Sequence, residues 1–175
     1  AMFGVVPKPL WERACPADGK NRIAMGCQSL ILRHQGRVVL IDAGLGTKLS
    51  EKSRTIHDLQ ESSAQGALIA SLESIGLSPK DITDVIITHL HFDHAGGLTY
   101  LDAKGTLPPT FPNARYLFGA AEWEFWKDED DPYESNALDH ALKPIFEANL
   151  VDLVDSTHQI CDEISLIPTP GHTPG

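Results

Sequence analysis

Short apolar blocks alternate with turn residues along this chain, and a few stretches carry helical periodicity. Cys27 to His34 reads as a strand, Gln35-Gly36 as a turn and Arg37 to Asp42 as a second strand, which together predict a hairpin. Val38-Val39-Leu40-Ile41 is apolar without alternation, the pattern of a strand covered on both faces. Ala43-Gly44-Leu45-Gly46 reads as a loop. Gln60 to Ile75 places Ala64, Ala67, Leu68, Leu72 and Ile75 at helical spacing, with Gly76 as a stop. Asp84 to Thr88 and Ala114 to Phe118 are short strands. Ala120 to Lys127 and Asn136 to Asn149 read as helices, the second kinked or broken at Pro144. Val151 to Val154 and Ile164 to Pro168 read as strands. Ala1 to Asn21 holds Pro7, Pro9 and Pro16 and reads as irregular, although Phe3, Val5, Val6, Leu10 and Trp11 make it a packed segment. Strands and helices mix throughout without repeat or linker, so residues 1–175 are read as one α/β (α+β) domain.

Composition narrows the class. The 175 residues are 42% hydrophobic and 22% charged, a globular balance with enough chain for one core. A formal net charge of −10 argues against nucleic acid and against an anionic membrane surface as partners. No apolar run approaches the ~20 residues of a spanning helix, and no secretory signal opens the chain. Cys15, Cys27 and Cys161 form neither an even set nor a CxxC pair, so free thiols and, by default, a cytoplasmic setting are expected. Asp42 to Lys48 mimics a phosphate loop but lacks the Walker spacing and a third fingerprint glycine. There is no HExxH and no Gly-x-Ser-x-Gly. Lys127 to Asp131 reads as a solvated charge run, and His34, His57, His140 and His158 as surface or helix residues.

The chemistry concentrates at Thr88-His89-Leu90-His91-Phe92-Asp93-His94-Ala95-Gly96-Gly97. A chain leaving a buried strand still extended points residues two apart the same way, so His89 and His91 converge on one point. Asp93 continues that row if the extension persists, and His94 points towards a second place. Gly96-Gly97 allows a tight turn and close approach to a neighbour. The pattern offers two histidines to one cation, and a carboxylate with a histidine to another. Such donors suit zinc, and also iron or manganese.

His-x-His-x-Asp-His-x-Gly-Gly after a strand resembles the signature of the metallo-β-lactamase superfamily. A second element, Thr169-Pro170-Gly171-His172-Thr173-Pro174-Gly175, stands at the end of the strand Ile164 to Pro168. The resemblance implies that His172 is the third nitrogen ligand of the first cation, with His89 and His91, and that Asp93 and His94 serve a second. It also implies that Asp42 stands behind the ligands and fixes their orientation. Met2 to Trp11, Asn21-Arg22-Ile23, Phe111 to Ala114 and Glu122-Trp123 are similar to the YtnP-like quorum-quenching N-acyl homoserine lactonases. The implied fold is an αββα sandwich, of which this chain carries about the first half plus the edge of the second.

A bridging Asp and a final His would follow Gly175 in such a protein, so the chain is expected to be incomplete. A half sandwich is expected to leave one sheet face bare, which favours exposed apolar surface or a homodimer. The resemblance implies opening of the lactone ring of N-acyl homoserine lactones by a metal-activated water, with two zinc ions (or iron or manganese) in the full-length enzyme and Asp93 as ligand and general acid. Phe3, Trp11, Phe92, Trp123 and Trp126 are candidate walls for an acyl groove. Rival expectations are a thioester, phosphotriester or β-lactam hydrolase, a nuclease, a di-iron oxidoreductase, and an inactive metal-binding fragment.

Overall fold

A computed structural model describes residues 3–59, 66–127 and 132–175. Helices α1 (Lys8–Trp11), α2 (Glu51–His57), α3 (Ala67–Ser74), α4 (Phe92–Ala95), α5 (Ala120–Trp126) and α6 (Pro132–Glu147) accompany seven strands. These are β1 (Leu30–His34), β2 (Arg37–Ile41), β3 (Asp84–Ile86), β4 (Arg115–Gly119), β5 (Val151–Val154), β6 (His158–Cys161) and β7 (Ile164–Leu166). The first five form one sheet in chain order, and β6–β7 form a separate hairpin. The β1–β2 pair is antiparallel as the turn at Gln35-Gly36 demands, and β2 through β5 run parallel.

Two apolar clusters sandwich the sheet. Leu40, Val85, Tyr116 and Phe118 pack with Leu72, Leu142 and Ile145 on the helical side. Val39, Ile86 and Leu117 pack with Val154, Ile160 and the half-buried Ile164 and Leu166. The unbroken apolar run in β2 is thus explained: its alternate residues feed both clusters. The result is three layers, helices, sheet and hairpin. The bare face expected of a half sandwich is corrected at the sheet centre, where Val39, Ile86 and Leu117 are at most 5% exposed beneath the hairpin.

Several boundaries move. β1 begins at Leu30, not Cys27, and β7 stops at Leu166, not Pro168. The strand from Arg37 ends at Ile41 because Asp42 adopts φ +60 and turns out of the ladder. The part of the predicted Gln60–Ile75 helix before Gly66 lies outside the described residues, and the remainder is α3. The irregular N-terminal reading gives way to one helical turn, α1, started by proline. The polar helix α2 has almost no apolar face and so no periodic signal; its mark is Ser50, which caps the Ser53 N–H at 3.1 Å. Pro144 neither breaks nor ends α6. Its missing N–H would have served the carbonyl of His140, and the buried Thr99 hydroxyl bonds that carbonyl at 2.5 Å instead.

Candidate metal centre

The parallel strands end on one side, and ligands to open α/β sheets gather at such carboxyl ends. Beyond β2 stands Asp42, beyond β3 the segment Ile87 to His94, and beyond β4 helix α5. Asp42 accepts from the Thr88 N–H at 2.9 Å and from the Thr88 hydroxyl at 3.0 Å, tying the ends of β2 and β3 together.

The extended stretch after β3 is shorter than the sequence suggests. His91 is the N-cap of α4, so Phe92 to Ala95 coil and Asp93 leaves the row of His89 and His91. Gly96 and Gly97 follow immediately. A Cβ on Gly97 would fall within van der Waals contact of the Ala43 carbonyl oxygen, and one on Gly96 would meet that of Leu45. The loop after β2 and the turn after α4 therefore touch backbone to backbone, and the Ala43 N–H donates to the His94 carbonyl at 2.8 Å.

The structure brings His89, His91 and His172 together: one ring nitrogen from each lies within 4.8 Å of the others. His91 and His172 are in hydrogen-bond range, Nδ1 to Nε2 at 3.1 Å. His94 lies beside this group, its ring centroid 4.0 Å from that of His89. Its Nδ1 is 2.8 Å from Asp42 Oδ2, and its Nε2 is 3.6 Å from Asp93 Oδ2. Asp93 and His94 thus form a carboxylate–imidazole pair beside the three histidines, lining the same cleft.

Hydrogen bonds set the tautomers. The Thr88 hydroxyl proton belongs to Asp42, so the Thr88 oxygen accepts from His89 Nδ1–H at 3.1 Å. His89 Nε2 then keeps its lone pair, and it is buried with no hydrogen-bond partner. His94 Nδ1–H likewise donates to Asp42, leaving Nε2 to face Asp93 Oδ2 at 3.6 Å. Burial lowers the pKa of His89 to about 4, and the imidazoles of His94, His91 and His172 push the same way against Glu122. Burial, then His172, lowers that of His91. At neutral pH the His89 ring is therefore uncharged. A buried orphaned lone pair, converging imidazoles and a carboxylate behind them form a donor set that fits a divalent cation such as zinc.

A family model described as the metallo-beta-lactamase superfamily matches residues 22–175. The chain belongs to this superfamily. An N-acyl homoserine lactonase of Bacillus cereus is 28% identical over 118 residues, covering 67% of this chain and 40% of the relative. A crystal structure of a probable metal-dependent hydrolase from Staphylococcus aureus is 33% identical with a TM-score of 0.86, covering 100% of this chain and 60% of that one. AidC, a dizinc quorum-quenching lactonase solved with a product, is 28% identical with a TM-score of 0.61 over 84% of this chain and 49% of its own. The chain therefore spans about half the length of these superfamily relatives.

Other residues of this metallo-β-lactamase chain fall differently from expectation. Phe3 and Trp11 stack at 4.6 Å and, with Phe92, line the same cleft as His89, His91, Asp93 and His172. Trp123 instead packs on Phe146 against the core, which removes it from the groove. Trp126 meets the His91 ring edge-on at 5.3 Å. Sequence reasoning missed the working of Glu122. It is a fully buried carboxylate, and its signal was the i, i+4 spacing to Trp126, whose Nε1–H it accepts at 2.8 Å. It also passed over Lys48, whose ammonium bonds the carbonyls of Gly96 and Thr99 at 2.6 Å each.

Proposed function

We propose that the protein to which this chain belongs is a metal-dependent hydrolase that opens the lactone ring of N-acyl homoserine lactones. The reading rests on the convergence of His89, His91 and His172 in a cleft that Phe3, Trp11 and Phe92 also line. The lactonase relatives supply the substrate class.

His89, His91 and His172 would hold the first cation, zinc by preference and iron or manganese as alternatives, and Asp93 with His94 would contribute to a second. A divalent cation there supplies Lewis acidity and a water acidic enough to ionise near neutral pH. The protein's own groups do the rest. Thr88 and Asp42 fix the ring orientations of His89 and His94. The stacked, half-buried Phe3 and Trp11, with Phe92, offer the acyl chain apolar surface. The attacking water gives up a proton and the expelled alkoxide oxygen needs one; the part-exposed Asp93 carboxylate, which lines the cleft, takes the first and returns it to that oxygen.

The test is turnover of a panel of N-acyl homoserine lactones, thioesters and phosphotriesters by the zinc-loaded protein. Lactone opening is expected, with Asp93→Asn lowering kcat by about 10²–10⁴. A zinc-loaded protein that leaves every lactone intact while consuming a thioester or phosphotriester contradicts the proposal.

A further inference from the structure

Glu122 is a charged side chain with no exposed surface, on the first turn of α5 rather than among the histidines. Its Oε1 accepts from the Leu90 N–H at 2.8 Å, and Leu90 lies between His89 and His91. The same oxygen accepts from Trp126 Nε1–H at 2.8 Å, and the Trp126 ring lies against His91. Its Oε2 accepts from the Gly175 N–H at 3.3 Å, three residues beyond His172. One carboxylate therefore reaches both segments that carry the converging imidazoles, although they lie 81 residues apart between His91 and His172. A second observation agrees. A Cβ on Gly175 would sit 2.8 Å from the Glu122 Cβ and closer still to its backbone nitrogen. The chain after His172 is thus seated directly on α5, and glycine is what permits the contact.

We propose that Glu122 is a positioning residue: it sets the separation of the His89–His91 pair from His172 by clamping the Leu90 and Gly175 amides to one buried carboxylate. Burying a carboxylate is costly unless its oxygens are satisfied. Here backbone donors from the two histidine segments satisfy it, so its geometry and theirs are fixed together. This inference rests on the reading of the three histidines as a cation site, and its test is independent of any substrate.

Cobalt(II) is titrated into the metal-free full chain, and affinity, visible ligand-field absorption and far-UV circular dichroism are recorded for wild type, Glu122→Ala and Glu122→Gln. Loss of the clamp is expected to weaken cobalt binding in Glu122→Ala by about 10–100-fold and to change its visible bands, with the far-UV spectrum retained. Glu122→Gln keeps one acceptor for Leu90 and Trp126 but turns a donor towards Gly175, so it is expected to fall between the two. If the alanine variant does not fold, the glutamine variant decides alone. Folded variants that melt earlier yet bind cobalt within twofold of wild type, with the same bands, would show a core-filling role and overturn the proposal. A wild-type chain that takes up no cobalt overturns the cation reading and this inference with it; normal uptake by wild type and variants alike overturns this inference only.

Discussion

Single residues around the site act mostly through backbone contact. Gly97 lies so close to Ala43 that any side chain must push the two loops apart. Gly97→Ala is therefore expected to lower stability by about 1–3 kcal/mol, a loss in the range of core overpacking, which chemical denaturation will measure. That two glycines would permit a close approach was legible in the sequence; which neighbour they approach was not, because it lies over 50 residues away in the chain. Lys48 holds the same junction, and burial lowers its pKa to about 8 from 10.5. Between those values the unfolded chain carries a proton that the folded chain has released, so stability rises with pH across that window. Relative to Lys48→Met, wild type is expected to gain on the order of 1 kcal/mol between about pH 7.5 and about pH 9.5, read from urea midpoints. A difference that stays flat with pH contradicts this. Nothing in the sequence showed that Lys48 is buried, and the family resemblance and the spacing to Trp126 marked Glu122 without showing that it is buried, because burial of a charge depends on which elements close over it.

At the scale of elements, β1 to β5 and β7 were legible because apolar runs bounded by turn residues are local signals, whereas β6 was not, since His158-Gln159-Ile160-Cys161 holds too short an apolar run and finds its place only by pairing with β7; the parallel order of β2 to β5 follows from the helices between them. The helical coil at Phe92 to Ala95 was not, since the row of alternating histidines reads equally well as extended chain until the neighbouring loop fixes the Gly-Gly turn. The passage of α6 through Pro144 has a distant cause as well. The Thr99 hydroxyl replaces the missing helical donor to the His140 carbonyl. Thr99→Val is expected to cost about 1–2 kcal/mol, and less when combined with Pro144→Ala, which restores a helical N–H for the same carbonyl. A double-mutant cycle will give the coupling, expected near 1 kcal/mol; additive losses would mean that the hydroxyl does not compensate for the proline.

The whole molecule is organised so that segments from β3, and from beyond β7 far along the chain, meet above the sheet. The loop at His89 to Gly97 announced its chemistry by spacing, whereas His172 gained meaning only beside it, because a lone histidine after a strand carries no such signal. A cation shared by these segments ties them together, so it should stabilise the fold. At free zinc about 100 times its dissociation constant, a gain near 2.7 kcal/mol is expected, visible as a rise in melting temperature that a chelator reverses and that His172→Ala largely abolishes. The most direct test is an anomalous-difference map at the zinc edge, from crystals grown with one equivalent of zinc. A peak is expected about 2.0–2.1 Å from one nitrogen each of His89, His91 and His172. Zinc bound elsewhere, with these three rings turned away from one another, would contradict it.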